Sequence, residues 1–482
     1  MTSLYTGAFL TGLSEKNVTF TRLTYENHGR NVQIDVPQLE KSQLQTIISS
    51  IKHQQREYLN GRTTSEMVEI IDEVVQKWLN PTYELRQFAE ETLPVITGYD
   101  EEMIRLFLAN YFRKFRKPYL QRMIEEDFTN PLVLDEFRPR RAGGLTRAYG
   151  AELIAHIFSG NVPGLPLWGL VSSLLVKSAA LGKVSSEEPL FPALFAKSIA
   201  EVDPDAAKAL AVVWWKGGTV SLEDTLYHNA QVVTAYGADQ TMNEISSRLP
   251  AHVRFVPHGH KVSFGVLAKE ALSSSLAWQS AQRAAKDVSW FDQQGCLSPH
   301  VFYVEKDGDF SPKDFTRLLA HEMENFQHKM KSSELTAEEV NAIRRVRTDA
   351  EFNKDKEVIA SEKGASWTVI HQEQQTAFPL SVLNRVITVV PIDTLSELRE
   401  KTSDIRQYVQ TAGISCPPQK LQQLIYTLGD CGVNRICSIG EMSLPEPGWH
   451  HDGRPNLGEF VYWCDVESSV ERITELYDPD RD

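Results

Sequence analysis

Cys296 stands within residues 289–304, which read S-W-F-D-Q-Q-G-C-L-S-P-H-V-F-Y-V. The stretch joins a helical-looking segment, residues 273–287, to a strand-like run, residues 300–304. A thiol beside Gly295, in a turn rich in Gln, Ser and Pro, is placed as a reactive group is placed; structural cysteines more often sit inside apolar periodic runs. Its chemistry as a thiolate is nucleophilic: attack on an acyl carbon, with the acyl group then held as a thioester. Other chemistries find little support. There is no G-x-G-x-x-G, no P-loop, no G-x-S-x-G and no H-E-x-x-H. Cys431 and Cys437 are too far apart for a zinc spacer, and His450 and His451 alone do not complete a metal site.

The elements that must position the thiol follow a strand–helix alternation from residue 152 onward. Residues 152–158, 211–215, 231–235 and 252–256 read as strands, and 170–176 as a buried strand or helix end. Helices are expected at 189–200 and 239–248, with a short one capped by Ser221 and Asp224. Such repetition implies a mainly parallel sheet covered on both faces, with ligands bound at the carboxyl ends of its strands. Upstream, residues 1–40 read as a few strands. Residues 42–53 and an amphipathic run to Leu79 that Thr64 can cap read as helices, and 100–124 as a further helical region. In the last, Arg113, Lys114, Arg116 and Lys117 interleave with aromatics, which reads as a solvated face over an aromatic underside. Residues 131–149 look like a hairpin. Past Cys296, a capping Ser311 and the Thr336/Glu339 box open two helices, and residues 367–371 and 386–390 are strand-like.

Composition bounds the class. The chain has 482 residues, enough for two or three domains. A net charge of −14 argues against general nucleic-acid or anionic-membrane binding. Five scattered cysteines do not make a disulfide framework, so a reducing cytoplasm is expected. No signal peptide is read at the N-terminus, and the most apolar run, 162–176, is broken by Pro and Gly and falls short of the ~20 residues of a spanning helix.

An ordered series carries further information: Asn161 in S-G-N-V-P-G, Lys177 in L-L-V-K-S-A-A, Gly237 in T-A-Y-G-A-D-Q-T, and Cys296 in Q-Q-G-C. The series resembles the aldehyde dehydrogenase superfamily. Its acyl-CoA reductase branch, with the reductase of the bacterial-luminescence fatty acid reductase complex, is the closer likeness. H-I-F-S-G-N-V-P-G-L-P-L-W, H-G-H-K-V-S-F, Q-G-C-L-S-P-H-V-F-Y-V-E and H-D-G-R-P-N-L-G-E-F-V-Y-W carry it.

The resemblance implies an α/β aldehyde dehydrogenase-like fold. A Rossmann-type cofactor domain would span residues 1–275 and an α/β catalytic domain 276–440, with the 131–149 hairpin and a 441–482 tail for oligomerisation. It implies NADPH-dependent reduction of a long-chain fatty acyl thioester to an aldehyde, with Cys296 as nucleophile and Asn161 as oxyanion donor. Lys177, Ser178, Gly237, Asp239 and Thr241 would bind cofactor. Ala180, three residues past Lys177, stands where NAD-preferring members carry an acid, which favours NADPH. Pro257 stands where hydrolytic members keep their glutamate base, which favours reduction. The glutamate that holds the nicotinamide ribose is missing around residues 381–384.

His258, His260 and His300 lie in the matched strings, and any of them could assist the thiol. Residues 162–171 read as core, with an acyl tunnel as the alternative. Implied partners are acyl-protein synthetase and acyl-transferase subunits and further copies of the chain in a homo-oligomer. Oxidation of aldehydes, or non-redox acyl transfer, stands as the alternative function.

Overall fold

In the computed structural model, which describes residues 5–362 and 364–479, the alternation after residue 152 becomes a five-stranded, wholly parallel sheet. Its order is Arg254–His258, Val232–Tyr236, Leu153–Ile157, Ala179–Lys183, Leu210–Val213. Each strand is a short apolar run whose alternate residues feed opposite faces. Leu153, Ala155, Ala179 and Leu181 pack with Leu44, Ile47 and Ile51 of the helix Lys41–Glu57 and with Leu222 and Leu226 of Val220–Asn229. Ile154, Ala180, Leu210 and Val212 join the larger core beneath the helices Leu165–Leu175 and Phe191–Val202.

A second sheet has seven strands in the order Lys356–Ala360, Thr368–Gln372, Val386–Ile392, Pro299–Glu305, Val262–Leu267, Val409–Ser415, Arg435–Ser438. Only Lys356–Ala360 runs antiparallel to its neighbour. Val262–Leu267 lies in the middle of this sheet, so the second layer begins before the boundary expected at residue 275. The strand that follows Cys296 is buried along its whole length. The expected hairpin forms as Arg138–Pro139 against Leu145–Gly150, and Val461–Val466 pairs with the latter as a third antiparallel strand. A further sheet joins Tyr5–Thr6, Arg30–Gln38 and Thr19–Asn27. Among the described residues no helix is long and apolar enough to cross a membrane.

Residues 170–176, read as a buried strand or helix end, are mostly the end of the helix Leu165–Leu175; a segment apolar on every side has no periodicity to separate the two. Three local expectations are corrected. The helix from Thr64 is capped by Thr63, which accepts from Glu66 N, while Thr64 bonds Asp135. Ser221 lies inside Val220–Asn229, and Asp224 pairs with Arg248 rather than closing a capping box. Residues 100–124 form two helices, Glu101–Arg113 and Lys117–Asp127, separated just before Pro118. Their cations are engaged internally: Arg116 with Asp72 and Lys117 with Glu69.

Glu188 supplies a stability prediction. Its Oε1 accepts from the backbone N–H of Leu190 and Phe191, but Oε2 is buried without a partner. Burial, against those two bonds, pushes its carboxyl up to about 7. A folded pKa above the unfolded one means that the charge destabilises, an effect absent below the unfolded value, growing as pH rises and complete above about 7. Glu188→Gln should therefore raise stability on the order of 1–3 kcal/mol at pH 8 and leave it little changed at pH 5. Melting temperatures at the two pH values check this; an equal shift at both would contradict it.

Candidate active site

The Cys296 loop is built on two facing left-handed turns. Phe291, Asp292 and Gln293 have φ of 49°, 48° and 66°; across from them Leu383, Asn384 and Arg385 have φ of 63°, 54° and 61°. Each such residue costs on the order of 1 kcal/mol, so the surroundings must hold them. Arg385 Nε donates to Asp292 Oδ1 at 2.6 Å, with both side chains almost wholly buried. Gln293 donates to Pro299 O at 2.7 Å and accepts from Val386 N at 3.0 Å. Gln294 donates to Asn384 Oδ1 at 2.8 Å. The loop is thus tied to the strand starts on both sides of it. Ser263 Oγ fixes the Cys296 carbonyl at 2.7 Å.

Cys296 opens onto a cavity of about 520 Å³, within the range of ligand sites, roughly 300–1,000 Å³. The cavity lies between the carboxyl ends of the five-stranded sheet and the Cys296 loop. Phe107, Tyr111, Leu165, Trp168, Phe291 and Trp449 give it an apolar side. The thiol faces this space, yet protein crowds it, and desolvation followed by the charge of Asp452 pushes it up to about 12, against the Gln410 amide and Arg435. It needs help to ionise.

Asn161 reaches the loop from the first βα turn. Its Nδ2 donates to Gln294 O at 3.0 Å, its Oδ1 accepts from Ser159 at 2.8 Å, and Tyr99 OH fixes its carbonyl at 2.7 Å. The fold thus brings Asn161 and Cys296 to one cavity. His300 also lines it, but burial, with His260 nearby, pulls its pKa down to about 4, and its Nδ1 accepts from Ser381 N at 3.1 Å. This neutral ring braces the Leu383 turn. His260 is exposed at the rim, where its backbone N–H donates to Asp239.

The expected cofactor residues divide. Gly237 lines the cavity. Asp239 and Thr241 are exposed beside it at the start of the helix Asp239–Arg248, where the Asp239 carboxylate holds the 259–260 turn. Lys177 and Ser178 are not at the cavity. They precede the strand Ala179–Lys183, at its amino end, where Lys177 is buried and bonds Leu134 O and Asp135 at 2.6 Å each. Ser178 is buried with its Oγ unpartnered. The role that the resemblance implies for Lys177 needs a lysine at the carboxyl end of a strand, and the element before Lys177 is a helix. The lysine at the carboxyl end is Lys183, half-buried, its pKa lowered by desolvation, and without a hydrogen bond or ion pair among the described residues. Ala180 is accordingly inside the strand, and Ser186 stands three residues past Lys183.

Sequence reasoning missed two residues near the thiol, Gln410 and Asp452. Asp452 is in the segment expected only as an oligomerisation tail. A signal existed: Asp452-Gly453, with φ of 54° and 76°, is the Asp-Gly of a tight hairpin turn closed between His451 and Arg454. That turn points Asp452 inward, where Gln410 Nε2 and His258 Nδ1 meet its two oxygens at 2.6 and 2.7 Å.

Residues 59–463 match the family described as acyl-CoA reductase (LuxC). The chain belongs to that family. Two long-chain acyl-protein thioester reductases are among its relatives. That of Photorhabdus luminescens is 25% identical over 453 residues, 92% of this chain and 88% of the relative. That of Vibrio harveyi is 23% identical, over 87% and 86%. The fold of this chain is similar to that of aldehyde dehydrogenases. It is similar to NADP-dependent glyceraldehyde-3-phosphate dehydrogenase from Bacillus halodurans, at a TM-score of 0.73, 12% identity, and 96% and 98% coverage. It is equally similar to aldehyde dehydrogenase 21 from Physcomitrella patens, at a TM-score of 0.73, 12% identity, and 97% and 99% coverage. The family makes it an aldehyde-forming oxidoreductase.

Proposed function

We propose that this reductase converts a long-chain fatty acyl thioester to the fatty aldehyde through an acyl group held on Cys296, with NADPH as the hydride donor. The observation that carries the reading is the meeting of Cys296 and Asn161 in a largely apolar cavity at the carboxyl ends of the parallel sheet. Cys296, as thiolate, attacks the thioester carbon, and the donor thiol departs. The second Nδ2 hydrogen of Asn161 and the Cys296 backbone N–H stabilise the oxygen charge that develops there. The apolar side of the cavity takes the alkyl chain. When bound, NADPH would supply a hydride to the acyl carbon, whose bond to the Cys296 sulfur then breaks to free the aldehyde and the thiolate. Pro257, in place of a glutamate base, leaves the acyl group without an activated water, so the thioester persists until it is reduced.

The chain's own residues fit such a cofactor. The unpaired Lys183 suits a ribose or its phosphate, and Ser186 brings no carboxylate against a 2′-phosphate, which supports NADPH over NADH. Gly237 lets backbone approach at the following helix start. The names of the relatives support an acyl-protein donor, and with it synthetase and transferase subunits as partners. Tyr462 and Trp463, about half exposed on the Val461–Val466 strand, support self-association there.

Incubation with hexadecanoyl-CoA in the absence of nicotinamide should add one acyl group to the peptide containing Cys296, and NADPH should then discharge it as aldehyde. Discharge as free acid would sink the reading. Asn161→Ala should lower kcat by about 10²–10³-fold, the usual loss for one oxyanion donor, and steady-state aldehyde formation measures it; an unchanged kcat would remove Asn161 from the mechanism.

A further inference from the structure

A hydrogen-bonded group beside Cys296 has no part in the reading above. His258 ends the strand Arg254–His258 and faces the cavity, its Nδ1 2.7 Å from Asp452 Oδ2, with the two side chains 12% and 5% exposed. Its ring lies between those of Tyr236 and His451, 4.4 Å from each. Gln410, itself buried, donates to the other Asp452 oxygen at 2.6 Å, which leaves its own Oε1 buried without a partner. The same Asp452 and Gln410 act on the Cys296 thiol, the first raising its pKa and the second lowering it. His258, Asp452, Gln410 and Cys296 all line the one cavity.

The protonation pattern of this group follows from its bonds. Burial disfavours charge on Asp452, but the bonds from His258 and Gln410 and the nearness of His451 outweigh it and hold the carboxyl well below its usual range. An ionised carboxylate has no proton to give, so the shared hydrogen sits on His258 Nδ1. The other groups around the ring do not compete. His451 is kept neutral, chiefly by burial and then by His258, with a pKa down to about 3. His156, beneath the sheet, is also down to about 3 by burial. Burial and Asp452 hold Tyr236 in its protonated form. Lys261 lies close enough to act on His451.

Attack as the thiolate releases the Cys296 proton, so the step requires a base to take it. The glutamate position of hydrolytic relatives is Pro257 and cannot serve. We propose that His258, oriented by Asp452, is the acid–base residue of acylation: its Nε2 takes the Cys296 proton as sulfur bonds to the acyl carbon and returns it to the departing thiol. One S–C bond forms and one breaks, the proton passes from Cys296 through the imidazole to the leaving sulfur, and nothing is oxidised or reduced. Asp452 is the positioning residue, as the carboxylate is in hydrolytic triads. The assignment rests on the thioester reading, and it gives the C-terminal segment a place in the chemistry.

The test follows acylation alone. Wild type, His258→Ala and Cys296→Ala are mixed with hexadecanoyl-CoA without nicotinamide, quenched at timed intervals, and the acylated fraction is read by mass. His258→Ala should acylate at least about 100-fold more slowly. Imidazole in the buffer, entering the space left between Tyr236 and His451, should restore at least tenfold of that loss. Asp452→Asn should slow acylation as well, and the deficit of both variants should shrink as pH rises and more of the thiol ionises unaided. Acylation of His258→Ala at the wild-type rate, or a loss that imidazole leaves untouched, overturns the proposal. If Cys296→Ala still becomes acylated, the thioester reading itself has failed; if only Cys296→Ala is inert, the fault lies with the role given to His258.

Discussion

Cys296→Ala should lose aldehyde formation from a long-chain acyl thioester by at least about 10⁴-fold, because the acyl group then has no nucleophile to receive it. The fold should not suffer. The side chain faces the cavity rather than a packed core, and the loop is held by the Cys296 carbonyl and its neighbours, none of which the change touches. Unaltered melting beside absent activity would separate chemistry from folding. Cys296→Ser sharpens the point: a hydroxyl is harder to ionise than this already elevated thiol, and an oxygen ester is a poorer hydride acceptor than a thioester. Serine should therefore also give no measurable aldehyde. Aldehyde production by either variant at more than a few per cent of wild type would rule out an acyl group on residue 296.

Asp292→Asn should destabilise the protein by about 3–5 kcal/mol, the cost of leaving a buried charge without its partner. Arg385 is fully buried, and one of its terminal nitrogens, Nη2, already has no partner, so little can replace Asp292. Asparagine keeps the tolerance for the left-handed backbone at φ 48°, so the change falls on the charge and on one of the oxygens that accept from Arg385 and from Ser333 N and Oγ. The same substitution should slow acylation, since the Asp292–Arg385 pair locks the two turns that set the Cys296 backbone N–H. Chemical denaturation of wild type, Asp292→Asn and Asp292→Asn/Arg385→Met tests this. The double variant should recover part of the loss, because it removes the stranded guanidinium with the carboxylate. A loss under about 1 kcal/mol in the single variant would show that the pair holds nothing in place.

Much of this was legible along the chain because it is local. Short apolar runs bounded by turns marked most strands of the five-stranded sheet, and the caps at Ser311 and Thr336 marked their helices. Gly295-Cys296 in a polar turn, with Asn161 before Val-Pro, marked the two groups that the fold brings to one cavity. The misreading of Lys177 was also local in origin. The helix Leu165–Leu175 is apolar on every side because it is buried on every side, so it carries no period to set it apart from the strand that the role implied for Lys177 needs before it.

The sequence by itself determined an α/β chain of alternating strands and helices and a cysteine set in a polar turn, since residue type and short-range spacing suffice for both. Tertiary structure alone decided which histidine faces the thiol's neighbours. His258, His260 and His300 look alike in sequence, yet one is bonded to Asp452, one is exposed at the rim and one is buried as an acceptor for Ser381. The difference is made by Gln410 and Asp452, which lie 42 residues from each other, Asp452 being 194 residues from His258. No periodicity links positions on separate strands and turns; only the packing of the two sheets around one cavity brings their side chains within hydrogen-bond reach.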